Sequence, residues 1–491
     1  MLAVRVTGEA ADGGNDNKTG REHQRWRGLP AGPLAYNWPV SRGPVTSDPA
    51  APGLSLSTAD AVAGFAEREG AWSCDGVSLA AIAREVGTPS YVYSAALIRS
   101  RYARLTAALS GCRHSVHYAL KANSTLALTQ LIQGLGASAD CNSVGEIEVA
   151  LRAGFGPHQI VFTGVGKSRA EIARAVALGL KAINAESRGE LERIDAESIR
   201  QGRRTRVALR VNPDVDAKSH PHISTGLRRN KFGVPIAEAR LLLADMAQRP
   251  GLEVVGVHVH VGSQITTLEP LSRAAERMVA LVDGLKADGV ALQHLDLGGG
   301  LGISYDGGAE PDVEAYAAVV SAAARVTGLT LIVEPGRWLV GNAGALLSEI
   351  IDMKPAPDDD ADTEAGRPRR QFVILDAGMT DLMRPALYGA VHRIVRLEPA
   401  SGPPGRPVVE TPCDIVGPVC ESSDAFLGDR TLVDPQVGTL VAILDAGAYG
   451  ACMGSNYNRR PLAPEVLVDD GRWRVIRRPQ TLDDMVRLEC P

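Results

Sequence analysis

From residue 115 to residue 335 two hydrophobic rhythms alternate along the chain. Short runs in which every residue, or every second one, is apolar are followed by longer segments with apolar positions three and four apart. The short runs predict eight strands, at 115–122, 137–143, 159–164, 182–187, 207–213, 253–261, 294–299 and 329–335. Helix-period segments lie between them, among them 125–135, 144–153, 169–178, 188–201, 236–248 and 271–288. Strand, helix, strand at this repeat is the pattern of a parallel sheet, and eight units close a (β/α)8 TIM-type barrel. A further helix at 95–109 precedes the first strand and none is read after the eighth, so the outer ring of helices is expected to be offset by one.

The flanks read differently. Beyond residue 336 come short β-rich pieces at 345–353, 371–375, 408–415 and 439–445, and before the barrel a helix at 79–86 and a strand at 90–93. The expectation is an α/β chain in which the barrel, 95–337, is joined to a C-terminal β-domain, a β-barrel or sandwich of residues 338–491 completed by 58–94. The acidic stretch 358–362 reads as a solvated hairpin loop. Residues 1–57, rich in Gly, Pro, Asp, Asn and Arg and without sustained periodicity, read as a disordered or loosely attached extension with Trp26, Tyr36 and Trp38 as its large side chains.

Composition narrows the class. A chain of 491 residues exceeds one ordinary core, and 45% apolar with 22% charged residues describes a soluble globular protein. A net charge of -5 predicts no nucleic-acid or membrane partner. No apolar run is long enough to span a bilayer and the first residues lack a signal-peptide core, so a cytoplasmic location is expected. The seven cysteines form no Cys-x-x-Cys pair, which argues against a disulfide framework and against a zinc site. No metal is expected.

The unusual residues gather at the C-terminal ends of the barrel strands, where barrel enzymes build their sites. In the first strand Val116, Tyr118 and Leu120 alternate with smaller or polar residues, and the strand delivers Lys121. An amine against apolar walls is destabilised in its charged form and becomes a nucleophile toward an aldehyde. Strand two ends in Asp140-Cys141-Asn142-Ser143. Strand six ends in His258-Val259-His260-Val261-Gly262-Ser263-Gln264, with both histidines on one face. Strand seven ends in Gly298-Gly299-Gly300, whose bare backbone N–H groups could point at an anion. Strand eight ends in Glu334-Pro335-Gly336-Arg337. An amine, a flat imidazole, a phosphate cradle and a carboxylate together suggest a phosphorylated aldehyde cofactor, pyridoxal phosphate, with Lys121 making the Schiff base and Glu334 keeping the ring nitrogen protonated.

These residues, together with Met383-Arg-Pro-Ala-Leu-Tyr-Gly389, Cys420-Glu-Ser422 and Ser455-Asn-Tyr-Asn458, resemble the alanine-racemase-fold (fold-type III) pyridoxal phosphate-dependent decarboxylases, and within them the diaminopimelate decarboxylase family. The resemblance runs from about residue 89 to about residue 468. It implies that Lys121 carries the cofactor and that His260 stacks on it. It also implies that Ser263, Gly298, Gly299, Gly300, Gly336 and Arg337 surround the phosphate, that Glu334 pairs with the ring nitrogen, and that Tyr449 borders cofactor and substrate. Arg337, Arg384, Tyr388, Glu421 and Tyr449 would bind an amino-acid substrate. Cys420 would protonate the carbon that loses carbon dioxide, and Cys420 and Glu421 would reach the site of a second subunit in a head-to-tail homodimer. The activity implied is decarboxylation of meso-diaminopimelate to L-lysine. Alternatives are a relative acting on another amino acid or on a carrier-bound glutamyl group, and a non-catalytic cofactor-binding homologue; a racemase would pair the ring nitrogen with arginine instead of Glu334.

Overall fold

The computed structural model describes residues 63–216, 226, 230–356, 370–399, 409–426 and 430–489. The sequence expectations for 1–57 and 358–362 lie outside the described residues.

Eight parallel strands form one closed ring: His114–Ala119, Ser138–Cys141, Ile160–Phe162, Ala182–Ala185, Thr205–Asn212, Leu252–Val259, His294–Asp296 and Thr330–Val333. Each pairs with the next, and the eighth pairs with the first through Leu331–His114, Ile332–Ser115 and Val333–Val116. The (β/α)8 architecture read from the sequence is therefore present. Near-continuous apolar runs such as Val207-Ala-Leu209 are what a parallel sheet buried on both faces requires. The ladders are shorter than the apolar runs, because residues beyond them stay buried in the loops at the barrel mouth. Leu297 and Leu301, past the seventh strand, are examples.

Local sequence sets where the helices begin. Three of them start at Ser-x-x-Glu segments, where Ser143, Ser168 and Ser187 accept from the N–H groups of Glu146, Glu171 and Glu190 and so satisfy otherwise unpaired donors of the first turn. The offset ring is also observed. Ala95–Ala108 packs beside Val313–Thr327, in the place a helix after strand eight would take, and the chain after that strand makes only the short turn Arg337–Val340. Trp338 from this turn is buried, with the Arg101 guanidinium 4.5 Å from its ring.

After the barrel, Gly344–Pro355 pairs antiparallel with Ser90–Ser94, Leu440–Ile443 and Gln371–Leu375. Ser90–Ser94 pairs on its other side with Glu465–Asp469, in parallel. A strand from before the barrel thus lies between two strands from after it. Val92, Leu347, Leu444, Val466 and Val468 pack with Leu79 and Ile82 of the helix Leu79–Val86 into a core of their own. Where the two parts meet, Tyr449 N–H donates to Ala122 O at 2.8 Å and Asn123 Nδ2 donates to Gly447 O at 3.2 Å, so the loop after Leu440–Ile443 is fastened to the turn that carries Lys121. No helix among the described residues is long and apolar enough to cross a membrane.

Candidate active site

The first barrel ladder stops at Ala119, and Leu120–Ala122 forms a single 3-10 turn. Leu120 and Ala122 are fully buried and pin the turn, while the Lys121 side chain between them is 33% exposed at the barrel mouth. Its Nζ lies 3.6 Å from Asp140 Oδ2. The apolar environment anticipated for this amine is not what the structure shows. Burial does push the amine down, but Asp140 first, then Tyr449 and Glu334, outweigh it and hold Lys121 above the ordinary lysine range. Asp140 is pushed up by burial and by the neighbouring Glu334 charge, with Lys121 acting against both.

Glu334 is buried directly after the eighth strand, with Oε2 3.3 Å from His258 Nε2. Burial pushes its carboxyl up, yet His258, Lys121 and His260 prevail and hold it well below the usual carboxylate range. The opposite holds for Asp296, which burial and the Glu334 charge push far up. Donor atoms of His258, Asp296 and Glu334 lie within 4.8 Å of one another. Of these groups, Glu334 is the one held toward its charged form and Asp296 the one pushed toward its neutral form. Glu334 Oε1 is buried with no hydrogen-bond partner among the described residues.

The glycine run is packed more tightly than a phosphate cradle alone would demand. Gly298 has φ +66°, and a Cβ there would sit 2.4 Å from Val259 O; one on Gly299 would sit 2.2 Å from Glu334 O. Two of the three amides are also engaged within the protein: Gly298 N–H donates to Asp296 Oδ1 at 2.9 Å and Gly299 N–H to His260 Nδ1 at 3.2 Å. Only the Gly300 N–H has no acceptor among the described residues. The bond from Gly299 fixes His260 Nδ1 as an acceptor, which agrees with an imidazole that burial, Lys121 and Arg210 keep neutral.

Arg337 is buried, donating to Ser263 Oγ at 3.0 Å and to the Tyr305 hydroxyl, and its guanidinium lies 4.8 Å from the Tyr449 ring. Gly336 lies against the lysine turn, where an added Cβ would come 2.9 Å from that of Ala122. Tyr305 has a second arginine on it: Arg384, buried in the helix Arg384–Tyr388, stands 4.4 Å from the same ring. No carboxylate among the described residues forms an ion pair with Arg337 or Arg384, and Arg384 Nε is a buried donor with no partner. Arg384, Tyr388 and Tyr305 line a cavity of about 690 Å³ together with Gln264, Ser304 and Asp306. Lys121, His260, Ser263, the glycines, Glu334, Gly336, Arg337 and Tyr449 therefore share one site, and Arg384 and Tyr388 border it through Tyr305. Cys420 and Glu421 are exposed elsewhere: the Cys420 N–H donates to Asn458 Oδ1 at 3.1 Å, and Tyr457 OH donates to Glu421 Oε1 at 2.7 Å.

Residues 95–341 match the family model described as the pyridoxal-dependent decarboxylase, pyridoxal binding domain. The chain is 44% identical over 416 residues to the diaminopimelate decarboxylase of Neisseria meningitidis serogroup A, covering 85% of this chain and 98% of the relative. The chain belongs to the diaminopimelate decarboxylase family. Among solved structures, the family's enzyme from Helicobacter pylori complexed with L-lysine aligns with a TM-score of 0.77 at 40% identity, covering 84% of this chain and 98% of that one. The diaminopimelate decarboxylase from M. jannaschii in co-complex with L-lysine aligns with a TM-score of 0.80 at 34% identity, covering 87% of this chain and 98% of that one.

Pyridoxal phosphate, the cofactor of this family, can be tested against the atoms left over. The site offers a buried carboxylate held toward its charged form, with a bare oxygen, at Glu334, an arginine without a carboxylate at Arg337, an open amide at Gly300 and a lysine amine paired with Asp140 at the barrel mouth. These match a pyridinium N–H, a phosphate and an aldehyde, so the residues fit the group. Several residues beside this site escaped the sequence reading. Tyr305, Asp296 and His392 join it through contacts between separate segments, and the only local signals were a tyrosine shortly after the glycine run and an aspartate two residues before it.

Proposed function

We propose that this chain decarboxylates meso-diaminopimelate to L-lysine, with the residues above in the following roles. Lys121 would hold the cofactor covalently, with Asp140 beside it to orient the amine. Glu334 would hold the ring nitrogen, kept ionised by His258. Ser263, Arg337 and the Gly300 amide would hold the phosphate, Gly298, Gly299 and Gly336 would let the backbone close around it, and His260 would lie against the ring. Bound there, pyridoxal phosphate supplies an electron sink for the carbon that loses its carboxylate.

The observation that carries the choice of substrate is Arg384. A buried guanidinium without a carboxylate is costly, and a second carboxylate on the substrate would satisfy it through two parallel hydrogen bonds. Ornithine, bound through its α-amine, offers no such group at its far end. Tyr388 and Tyr449 would flank the substrate. Cys420 and Glu421 have no contact with Lys121 in their own chain, which supports a head-to-tail homodimer in which a second copy brings them to the site; Glu421 would bind substrate, and Cys420 Sγ would deliver a proton to carbon. The described cysteines form no disulfide with one another, which suits a reducing cytoplasm. Strand pairing supports dividing the chain into the barrel, 95–337, and a β-domain formed by 58–94 with 338–491.

The test is carbon dioxide release by the purified holoenzyme from meso-diaminopimelate, L,L-diaminopimelate, ornithine and glutamate. Turnover of the meso isomer alone, abolished in Lys121→Ala, is the expected result. Equal turnover of ornithine would refute the substrate assignment.

A further inference from the structure

His392 is buried against Arg384, and the atoms around it dictate its tautomer. Its Nδ1 is 2.9 Å from Leu444 O, which can only accept, so Nδ1 carries the proton. Its Nε2 is 2.8 Å from Arg384 Nη1, which can only donate, so Nε2 presents a lone pair. The imidazole is therefore neutral. Its edge meets the Tyr305 ring, with centroids 5.1 Å apart and planes at 76°. Arg384 is thus gripped from two sides, by a ring nitrogen and by the face of Tyr305, and neither contact neutralises its charge. A carboxylate at position 392 would have fixed the guanidinium equally well, but it would have satisfied the charge within the protein. A neutral acceptor orients the guanidinium and leaves the full positive charge, with the Nε donor, for a ligand.

We propose that His392 is a positioning residue for specificity: it holds Arg384 rigid and electrostatically unsatisfied, so that the site discriminates for ligands bearing a carboxylate at the end remote from the reacting amine. This inference rests on the assignment of Arg384 to the far carboxylate of the substrate. It adds that the neutrality of the group behind Arg384 makes that assignment selective.

The experiment compares inhibition of the holoenzyme by L-lysine, which keeps the far carboxylate, and by cadaverine, which lacks it. The readout is the ratio of their inhibition constants, measured with KM and kcat for meso-diaminopimelate. In His392→Leu, which removes the acceptor, the preference for L-lysine is expected to fall about tenfold, with KM rising by a similar factor and kcat changing much less. His392→Gln can place Oε1 near the Nε2 position and is expected to recover most of the preference. His392→Glu supplies a charged acceptor and is expected to abolish it although the variant folds, as checked by thermal unfolding. A preference unchanged in the Leu and Glu variants overturns the proposal. Arg384→Met separates the two levels: if that variant keeps the preference, the reading of Arg384 fails; if it loses the preference while His392→Leu and His392→Glu keep it, only the role of His392 fails.

Discussion

Replacing Arg384 with methionine removes the charge while keeping the unbranched apolar stem, and the structure gives opposite expectations for binding and for stability. A hydrogen bond to a charged partner contributes roughly 1.5–3 kcal/mol, so losing a two-pronged pair to the far carboxylate costs about 3–4 kcal/mol once non-additivity is allowed for. At about 1.4 kcal/mol per decade, kcat/KM for meso-diaminopimelate should fall by roughly two to three orders of magnitude. Folding should not suffer to match. Arg384 has no carboxylate partner among the described residues, and a buried charge replaced by an apolar side chain of similar volume is commonly neutral or stabilising. Against this stands the loss of the Nη1 donor to His392 Nε2, about 1 kcal/mol. The melting temperature should stay near that of the parent. The assays are steady-state kinetics on the holoenzyme and calorimetric melting of the same preparation. A melting temperature several degrees lower with kcat/KM changed less than tenfold would show that Arg384 is a structural cation and not a substrate ligand.

Glu334→Gln should keep the side chain's shape but lose the charge that His258 stabilises; the variant should still take up cofactor, seen by its absorbance, while kcat falls by about 100-fold or more, and near-parental kcat would remove Glu334 from the chemistry. Burial first, then Lys181, lowers both His117 and His294 to about 3, below the unfolded value of about 6.5. A depressed folded pKa gives stability that is complete above the unfolded value and lost as pH falls from 6.5 toward 3. Urea unfolding at pH 7 and pH 4.5 should therefore show a loss of about 2–3 kcal/mol per histidine, and His117→Leu should remove one such share; an unchanged loss would contradict it. Asp381 runs the other way, because burial raises it to about 6 against hydrogen bonds from the Gly378 N–H and the Thr380 hydroxyl. Its contribution is complete below about 3.8 and disappears as pH rises through 6, so Asp381→Asn should be more stable than the parent at pH 7.5, by up to about 2–3 kcal/mol, and little different at pH 4.

What could be read in the sequence was whatever is local. Strand and helix rhythms showed the barrel because both faces of every strand are buried, and Lys121, His260, Glu334 and Arg337 stood out because they end strands, where packing explains polar residues poorly. The charge state of Lys121 was misread, since Asp140 reaches it across a neighbouring strand and a run of apolar neighbours gave no hint of it. The glycines were understood as openings for an anion, whereas Gly298 and Gly299 are also demanded by Val259 O and Glu334 O pressing against them. His392 and Tyr305 lay beyond reach for the same reason: one follows Arg384 in a segment without strong periodicity, the other follows the seventh strand, and only the closed fold stacks them on one guanidinium.

The position of Ser90–Ser94 bears on how the chain is made. Emerging from the ribosome it precedes the whole barrel, yet its hydrogen-bonding partners are residues 344–347 on one side and 465–468 on the other. Through most of synthesis this all-buried strand has neither neighbour; one edge can close once residue 347 has been made, the other only after residue 465. The fastening of the Gly447–Tyr449 loop onto the Lys121 turn comes equally late. A nascent or truncated chain ending before residue 465 would therefore hold a complete ring of barrel strands together with an unsealed, adhesive strand, which makes the C-terminus the step that turns an assembled scaffold into a soluble, competent protein.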